Sequence, residues 1–232
     1  MGESASDYSI HIIDPAIAVM LGGLGLAIAL ALQFRTRQYV AWVYWLAVSM
    51  VAVFGTMAAD VLHVGLGVPY FISTIFFAAS LTIIFALWYA SEKTLSIHSI
   101  YTRRSEIFYW STVLTTFALG TAAGDMTAVT FGWGYLLSGI MFTGLIMLVT
   151  ISHYIARGIL GLEHRHLSRN AVFAFWLAYI LTRPLGASFA DWMGKAHAMG
   201  GLGIGDGPVT LVLIALIVVF VGYVALSKED VT

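Results

Sequence analysis

There is no cysteine in the 232 residues. Disulfide frameworks, thiolate metal sites and thiol nucleophiles are thereby excluded. Charge is nearly as scarce. Asp, Glu, Lys and Arg make up 10% of the chain, against about 25% in soluble domains. The 11 basic and 12 acidic residues leave a formal charge of -1, so nothing marks a nucleic-acid surface. The opening MGESASDYS has no basic n-region, which argues against a cleavable signal peptide. Proline is rare as well, with four in the chain. What remains is apolar: 60% of residues are hydrophobic.

The apolar residues fall into runs of the length a helix needs to cross a bilayer, roughly 20 residues. Seven runs are expected, over 15–33, 40–62, 69–90, 106–127, 132–155, 171–193 and 208–226. Asp14-Pro15 supplies an N-cap and a proline at the first helical position, and Gly207-Pro208 opens the last run in a similar way. Short gaps imply a single membrane domain over 1–232. Arg35, Arg37, Lys93, Arg103, Arg104, Arg157, Arg165, Arg169 and Lys228 sit in alternate loops or at the C-terminus. The positive-inside rule places these in the cytoplasm and leaves the N-terminus of this chain outside. Tyr39, Trp42, Trp88 and Tyr89 read as interfacial anchors.

Three of the runs align without gaps. Tyr44-Trp45 is followed by Gly55 and Asp60, Tyr109-Trp110 by Gly120 and Asp125, and Phe175-Trp176 by Gly186 and Asp191. Each reads aromatic-Trp-x9-Gly-x4-Asp and is followed by a turn and a second apolar run. The unit is a two-helix hairpin. Gly2-Glu3-Ser4-Ala5-Ser6-Asp7 repeats the Gly-x4-Asp part alone, at a similar distance from the next proline. The repeats therefore span about 1–34 (partial), 39–92, 104–157 and 170–227. The expected fold is an all-α polytopic helix bundle: seven spans plus an N-terminal stub, the first hairpin half-amputated.

The elements GESASD, GTMAAD, GTAAGD and GASFAD, the loop QFRTRQYVAWVYW, and TRPLGASFADWMGK followed by GGLGIG carry a resemblance. The chain is similar to the bacterial integral membrane proteins built from a "repeat of unknown function", described as uncharacterised membrane-anchored proteins. The resemblance implies an eight-helix bundle in the bacterial inner membrane, with a complete helix ahead of the Gly-Glu element. It implies no activity, cofactor or catalytic residue.

The chemistry must come from the residues. Small residues recur four apart in each copy: Gly2/Ser6, Gly55/Ala59, Gly120/Gly124 and Gly186/Ala190. Such pairs are close-packing seams between membrane helices, which makes Gly55, Gly120 and Gly186 packing glycines. The acids are costlier. An ionisable group at the bilayer centre costs about 2.5–3.5 kcal/mol on insertion scales and normally faces the bundle interior or a wet cavity. One turn before Asp7, Asp60, Asp125 and Asp191 stand Glu3, Thr56, Thr121 and Ala187, on the same helix face. Carboxylates and hydroxyls at matching positions suit a hard cation or a proton. Alternatively, Asp60 and Asp125 only end their helices near outer headgroups.

In the last copy Arg183, Asp191 and Lys195 lie on one face, so Asp191 can reach back to Arg183 or forward to Lys195. Pro184 frees a carbonyl and is expected to kink that helix. His63 and His197 lie on the same side as Asp60 and Asp191, and the four could form an oxygen/nitrogen metal site, although no spacing fixes such a set. Glu163-His164-Arg165-His166 reads as a charged loop, and GGLGIGDG as a flexible outer loop.

Several classes drop out. The run from Val209 to Leu226 has no lysine for a retinal Schiff base, and only His153 is deep enough for a haem ligand. No Gly-x-Ser-x-Gly or His-Glu-x-x-His element marks a hydrolase. The expected function is a transporter of a small cation, divalent metals included, or a proton-coupled one. The site candidates are Asp60, Asp125, Asp191, Arg183, Thr56, Thr121, Glu3, Asp7 and Lys195. A structural or assembly membrane protein, or an intramembrane enzyme, are the rivals. The expected partners are the lipid bilayer, a further copy of the chain, or the absent front of the first helix.

Overall fold

The computed structural model describes residues 1–36, 38–158 and 164–227. Every regular element among them is helical: α1 (Gly2–Ile12), α2 (Pro15–Arg35), α3 (Ala41–Asp60), α4 (Tyr70–Glu92), α5 (Arg103–Asp125), α6 (Gly134–Gly158), α7 (His164–Gly194) and α8 (Asp206–Ser227). The Asp14 carboxylate accepts from the backbone N–H groups of Ala16 and Ile17 at 2.9 and 3.3 Å, so the N-cap ahead of Pro15 forms as its sequence requires. Thr102 caps α5 in the same manner, with Ser105 answering in a capping box. Because α7 begins at His164, the expected loop from Glu163 to His166 largely becomes helix. Arg37, Glu163 and Lys228 lie outside the described residues.

Six helices are long and apolar enough to cross a membrane: Pro15–Arg35, Ala41–Gly65, Tyr70–Glu92, Gly134–Ala156, Asn170–Gly194 and Asp206–Ser227. This is the make-up of a multi-pass membrane protein. The expected run over 106–127 does not reach that apolarity. It forms α5, which carries Thr112, Thr116 and Thr121, all buried, together with buried Tyr109, Trp110 and Val113. Surrounded by protein, this helix has little surface whose apolarity lipid would dictate.

The chain divides into two compact units, Met1–Gly67 with Ala190–Thr232, and Val68–Phe189. In the first, α1 packs on α3, α8 and α2. A Cβ added to Gly2 would stand 2.6 Å from the backbone C and O of Ala52, so the stub and α3 touch backbone to backbone. In the second unit, α5 packs on α4 and α6. Here Gly120 meets α7 at the same register. An added Cβ would overlap Arg183 Cβ and lie 2.9 Å from its backbone C and 3.0 Å from Pro184 N. Relative to their own repeats, Ala52 and Arg183 occupy the same place, three residues before the glycine. One seam thus occurs once in each unit. Gly55 is buried. Gly186 meets no heavy atom within 4 Å of an added Cβ, so the expected close approach at that glycine is not found. Its helix uses Arg183 and Pro184 against Gly120 instead. α7 runs through Pro184 as one helix.

Two helices do not stop at their acids. α3 continues through a π-helical turn over Val61–Gly65, closed by Leu66 N–H to the Val61 carbonyl at 3.0 Å. α5 continues through Met126–Thr130, closed by Phe131 N–H to the Met126 carbonyl at 3.0 Å. Such turns occur mostly as single wide turns in α-helices and frequently at functional sites.

GGLGIGDG is not the free loop that its composition suggests. Leu202, Ile204 and Gly205 donate their N–H groups to the carbonyls of Trp192, Met193 and Gly194 at 2.6, 3.1 and 3.1 Å, and Gly203 donates to Lys195 at 2.9 Å. These are the carbonyls a helix end leaves without internal partners. Gly200, Gly203 and Gly205 have φ of 83°, 70° and 92°, a region that L side chains rarely enter. The glycines let the chain fold back as a backbone cap on α7.

The glycine contacts separate two substitutions of the same kind. Gly120→Ala should lower stability by about 1–3 kcal/mol through overpacking against Arg183 and Pro184. Gly186→Ala should be neutral, or stabilising by up to about 1 kcal/mol from helix propensity. Thermal melting in detergent checks the pair; equal losses would refute the asymmetry.

Candidate functional site

The seam between α1 and α3 sets polar groups face to face. Thr56 Oγ1 donates to Glu3 Oε2 at 3.3 Å. Ser6 Oγ donates to Asp60 Oδ2 at 3.1 Å. Each hydroxyl stands opposite a carboxylate on the other helix, so the crossing is stitched reciprocally. Glu3, Ser6 and Thr56 are buried, and Asp60 is half-buried.

The end of α7 adds the third side. Asp191 is buried at 3% exposure, and Lys195 follows it one turn later. Lys195 Nζ donates to Asp7 Oδ2 and stands 3.8 Å from Asp191 Oδ1. Glu3, Asp7 and Asp191 each offer an oxygen, and the three oxygens lie within 4.8 Å of one another. Asp206, at the start of α8, lies within electrostatic reach of Lys195 and Asp7. Its Oδ1 is buried without a hydrogen-bond partner, and its carboxylate sits against Gly194, where a side chain would collide with it. Burial alone would lower the pKa of Lys195, but the carboxylates of Asp7 and Asp191 outweigh it and hold the ammonium above its ordinary value.

Of the sequence candidates, Glu3, Asp7, Asp60, Asp191, Thr56 and Lys195 converge in the first unit. Thr121 and Asp125 belong to the second unit, on α5. Arg183 also belongs there. Its guanidinium lies 4.1 Å from the ring centroids of both Phe117 and Tyr179, and its Nε has no hydrogen-bond partner. Cation–π contact with two rings satisfies the cation without an anion. The nearer base to Asp191 is Lys195, one turn on, and that pair forms.

The group with metal-ligand spacing among the described residues also differs from the expected set of Asp60, His63, Asp191 and His197. It is Glu3, Asp7 and Asp191, all oxygen donors. His197 is exposed on the cap loop, its Nδ1 2.9 Å from the Gly201 carbonyl oxygen. His63 is buried in the π-turn after Asp60.

Sequence reasoning missed two members of the cluster. Ser6 reads as the second small residue of a packing pair, yet among Ser6, Ala59, Gly124 and Ala190 it alone carries a hydroxyl. Asp206 reads as part of a loop before Pro208. Its place beside Lys195 depends on the cap loop, which composition did not reveal.

The raised pKa of Lys195 fixes a sign. Its contribution is present below the ordinary lysine value and is lost only as pH rises through the folded value. Between about pH 6 and 9 the ammonium stays charged. Lys195→Met leaves Asp7 and Asp191 without their base and should cost about 3 kcal/mol near neutral pH. The cost should hold across about pH 6 to 9, where the ammonium stays charged. The absence of a melting difference from the unsubstituted protein in that range would contradict this pairing.

The sequence profile of a family described as Repeat of Unknown Function (DUF347) matches residues 43–94, 108–158 and 174–230. Each match starts near an aromatic-Trp pair and runs through the Gly-x4-Asp element into the following helix. No curated protein and no solved structure matches the chain. With three tandem matches over more than half its length, the chain belongs to the DUF347 repeat family.

Proposed function

We propose that the protein carries protons or a small hard cation across a bacterial inner membrane, with the cluster on α1, α3 and α7 as its exchange site. One observation supports this above all. Glu3, Asp7, Asp60, Asp191 and Asp206 gather around Lys195, with the Met1 ammonium within electrostatic reach of Glu3 and Asp191, and carboxylates outnumber these two cations. Hydrogen bonds from Thr56 and Ser6 satisfy an oxygen each but neutralise nothing. In an apolar surrounding, surplus negative charge requires protons or a bound cation. Oxygen-only donors favour a hard cation over a soft transition metal.

The basic loops support an orientation in which the ends of α1, α3 and α7 face outward and the C-terminus is cytoplasmic. In this reading α5 crosses as a seventh span, shielded by its neighbours. The π-turn after Asp60 supports the same reading, since it widens the helix next to a cluster acid.

The test uses purified protein in liposomes with a trapped pH dye. Gradients of sodium, potassium, magnesium or calcium, and of pH, should drive a saturable flux. Asp7→Asn and Asp191→Asn should each lower that flux at least tenfold while the protein stays monodisperse. Full flux in both Asn variants, or no flux above empty liposomes under every gradient, would refute the transport reading.

A further inference from the structure

The second unit holds a cation that the acid cluster does not use. Arg183 lies near the middle of the span Asn170–Gly194. Ionisable residues within membrane spans are rare and mark ligand or ion pathways. Packing alone does not ask for this one. In the first unit Ala52 makes the same seam against Gly2 with only a methyl side chain. At Gly120 the atoms nearest an added Cβ are Arg183 Cβ, its backbone C and Pro184 N. The seam is made at the backbone, where an alanine serves as well. Everything in Arg183 beyond Cβ is surplus to it.

That surplus is held in one place. The guanidinium lies over the rings of Phe117 and Tyr179, 4.1 Å from each centroid. Phe117 stands three residues before Gly120, and Tyr179 four before Arg183, so each lies one turn back on its own helix. The crossing at Gly120 brings these two turns together. Tyr179 is fixed in turn by Phe175, stacked at 5.6 Å, and by Trp176, edge-on at 5.5 Å. Trp176 is 4% exposed and donates its indole N–H to the Leu95 carbonyl at 2.8 Å. The clamp on the guanidinium is therefore preorganised.

The rings meet the charge but not the donors. A ring face attracts a cation, yet as a hydrogen-bond acceptor it is weak. A guanidinium carries five N–H donors in one plane. Among the described residues no oxygen accepts from them, and no carboxylate pairs with the cation. Nε is shut in without a partner. Arg183 as a whole is only half-buried, as are Phe117 and Tyr179, so its outer N–H groups stay within reach of a small ligand. Paired N–H groups of a planar fork match two oxygens of one flat anion.

We infer that Arg183, clamped by Phe117 and Tyr179, binds a small planar oxyanion of the carboxylate or nitrate class. The site belongs to the second unit and the acid cluster to the first, and the inference does not depend on the transport reading. Phospholipid phosphates offer similar oxygens, but they lie outside a hydrocarbon core about 30 Å thick, whereas Arg183 stands near mid-span. The ligand is a dissolved anion.

The test uses the purified protein in detergent. Binding of radiolabelled formate and acetate is followed by equilibrium dialysis, and melting is compared in sodium formate, acetate, nitrate and chloride. Sodium is held equal, so the acid cluster meets one cation throughout. The planar oxyanions should raise the melting temperature above that in chloride, and formate or acetate should bind at a single saturable class of site. R183M should abolish that binding. R183K keeps the charge but not the fork, and should bind at least tenfold more weakly. Both variants keep the Cβ and backbone that meet Gly120, and R183K guards against an R183M protein that does not fold. Binding undiminished in R183K and R183M would overturn the inference. So would the absence of any saturable binding or stabilisation in the unsubstituted protein. Stabilisation by dihexanoyl phosphatidate with none by the dissolved anions would overturn it too, since the fork would then serve a lipid phosphate.

Discussion

Backbone contact between parallel helices is the constraint on which the rest depends. A hydroxyl on one membrane helix reaches a carboxylate on the next only if the backbones come much closer than leucine-lined faces allow. Gly2 against Ala52 provides that approach, and it brings Thr56 to Glu3 and Ser6 to Asp60. The same crossing recurs as Gly120 against Arg183, where it gains a cation instead of a carboxylate pair. Arg183 stays in apolar surroundings because Phe117 and Tyr179 cover its guanidinium. One packing solution thus serves two chemistries, an acid cluster in one unit and an aromatic-clad arginine in the other.

The acid cluster rests on a second device, the cap at the end of α7. Lys195 leaves that helix with its own carbonyl held by Gly203, while the three carbonyls before it are held by Leu202, Ile204 and Gly205. Three left-handed glycines make this fold-back possible. The cap fixes where the ammonium stands, between Asp7 and Asp191, and brings Asp206 up beside Gly194. A glycine-rich stretch whose composition suggests only movement therefore sets the electrostatics of the site.

Much of this could be read in the sequence, for identifiable reasons. The helices were legible because a bilayer demands long apolar runs, and the hairpins because three copies of aromatic-Trp-x9-Gly-x4-Asp keep one spacing. The equivalence of Glu3 with Thr56 and of Asp7 with Asp60 was legible as a repeat, whereas the direct contact of α1 with α3 came only from the fold. The polarity of α5 was harder to judge, because Thr112, Thr116 and Thr121 are buried by neighbours that only the fold supplies. The partner of Arg183 was illegible for the same reason: Phe117 lies on a different helix. The π-turns and the α7 cap escaped because both depend on backbone hydrogen bonds that composition does not encode. Gly186 shows the limit of motif reasoning. It keeps the repeat spacing, yet the close contact on its helix is made by Arg183 and Pro184.

The account turns on a charge imbalance held within apolar helices: the carboxylates of Glu3, Asp7, Asp60, Asp191 and Asp206 near the ammonium of Lys195. Infrared difference spectroscopy of the purified protein, stepped from acid to alkaline pH in heavy water, observes that imbalance directly. The account expects a carboxylic-acid carbonyl band that persists near neutral pH and gives way to carboxylate bands as pH rises or a bound cation replaces the proton. A protein with no such band at neutral pH and no spectral response to any cation would hold its carboxylates fully ionised and unexchanging, which would contradict the account.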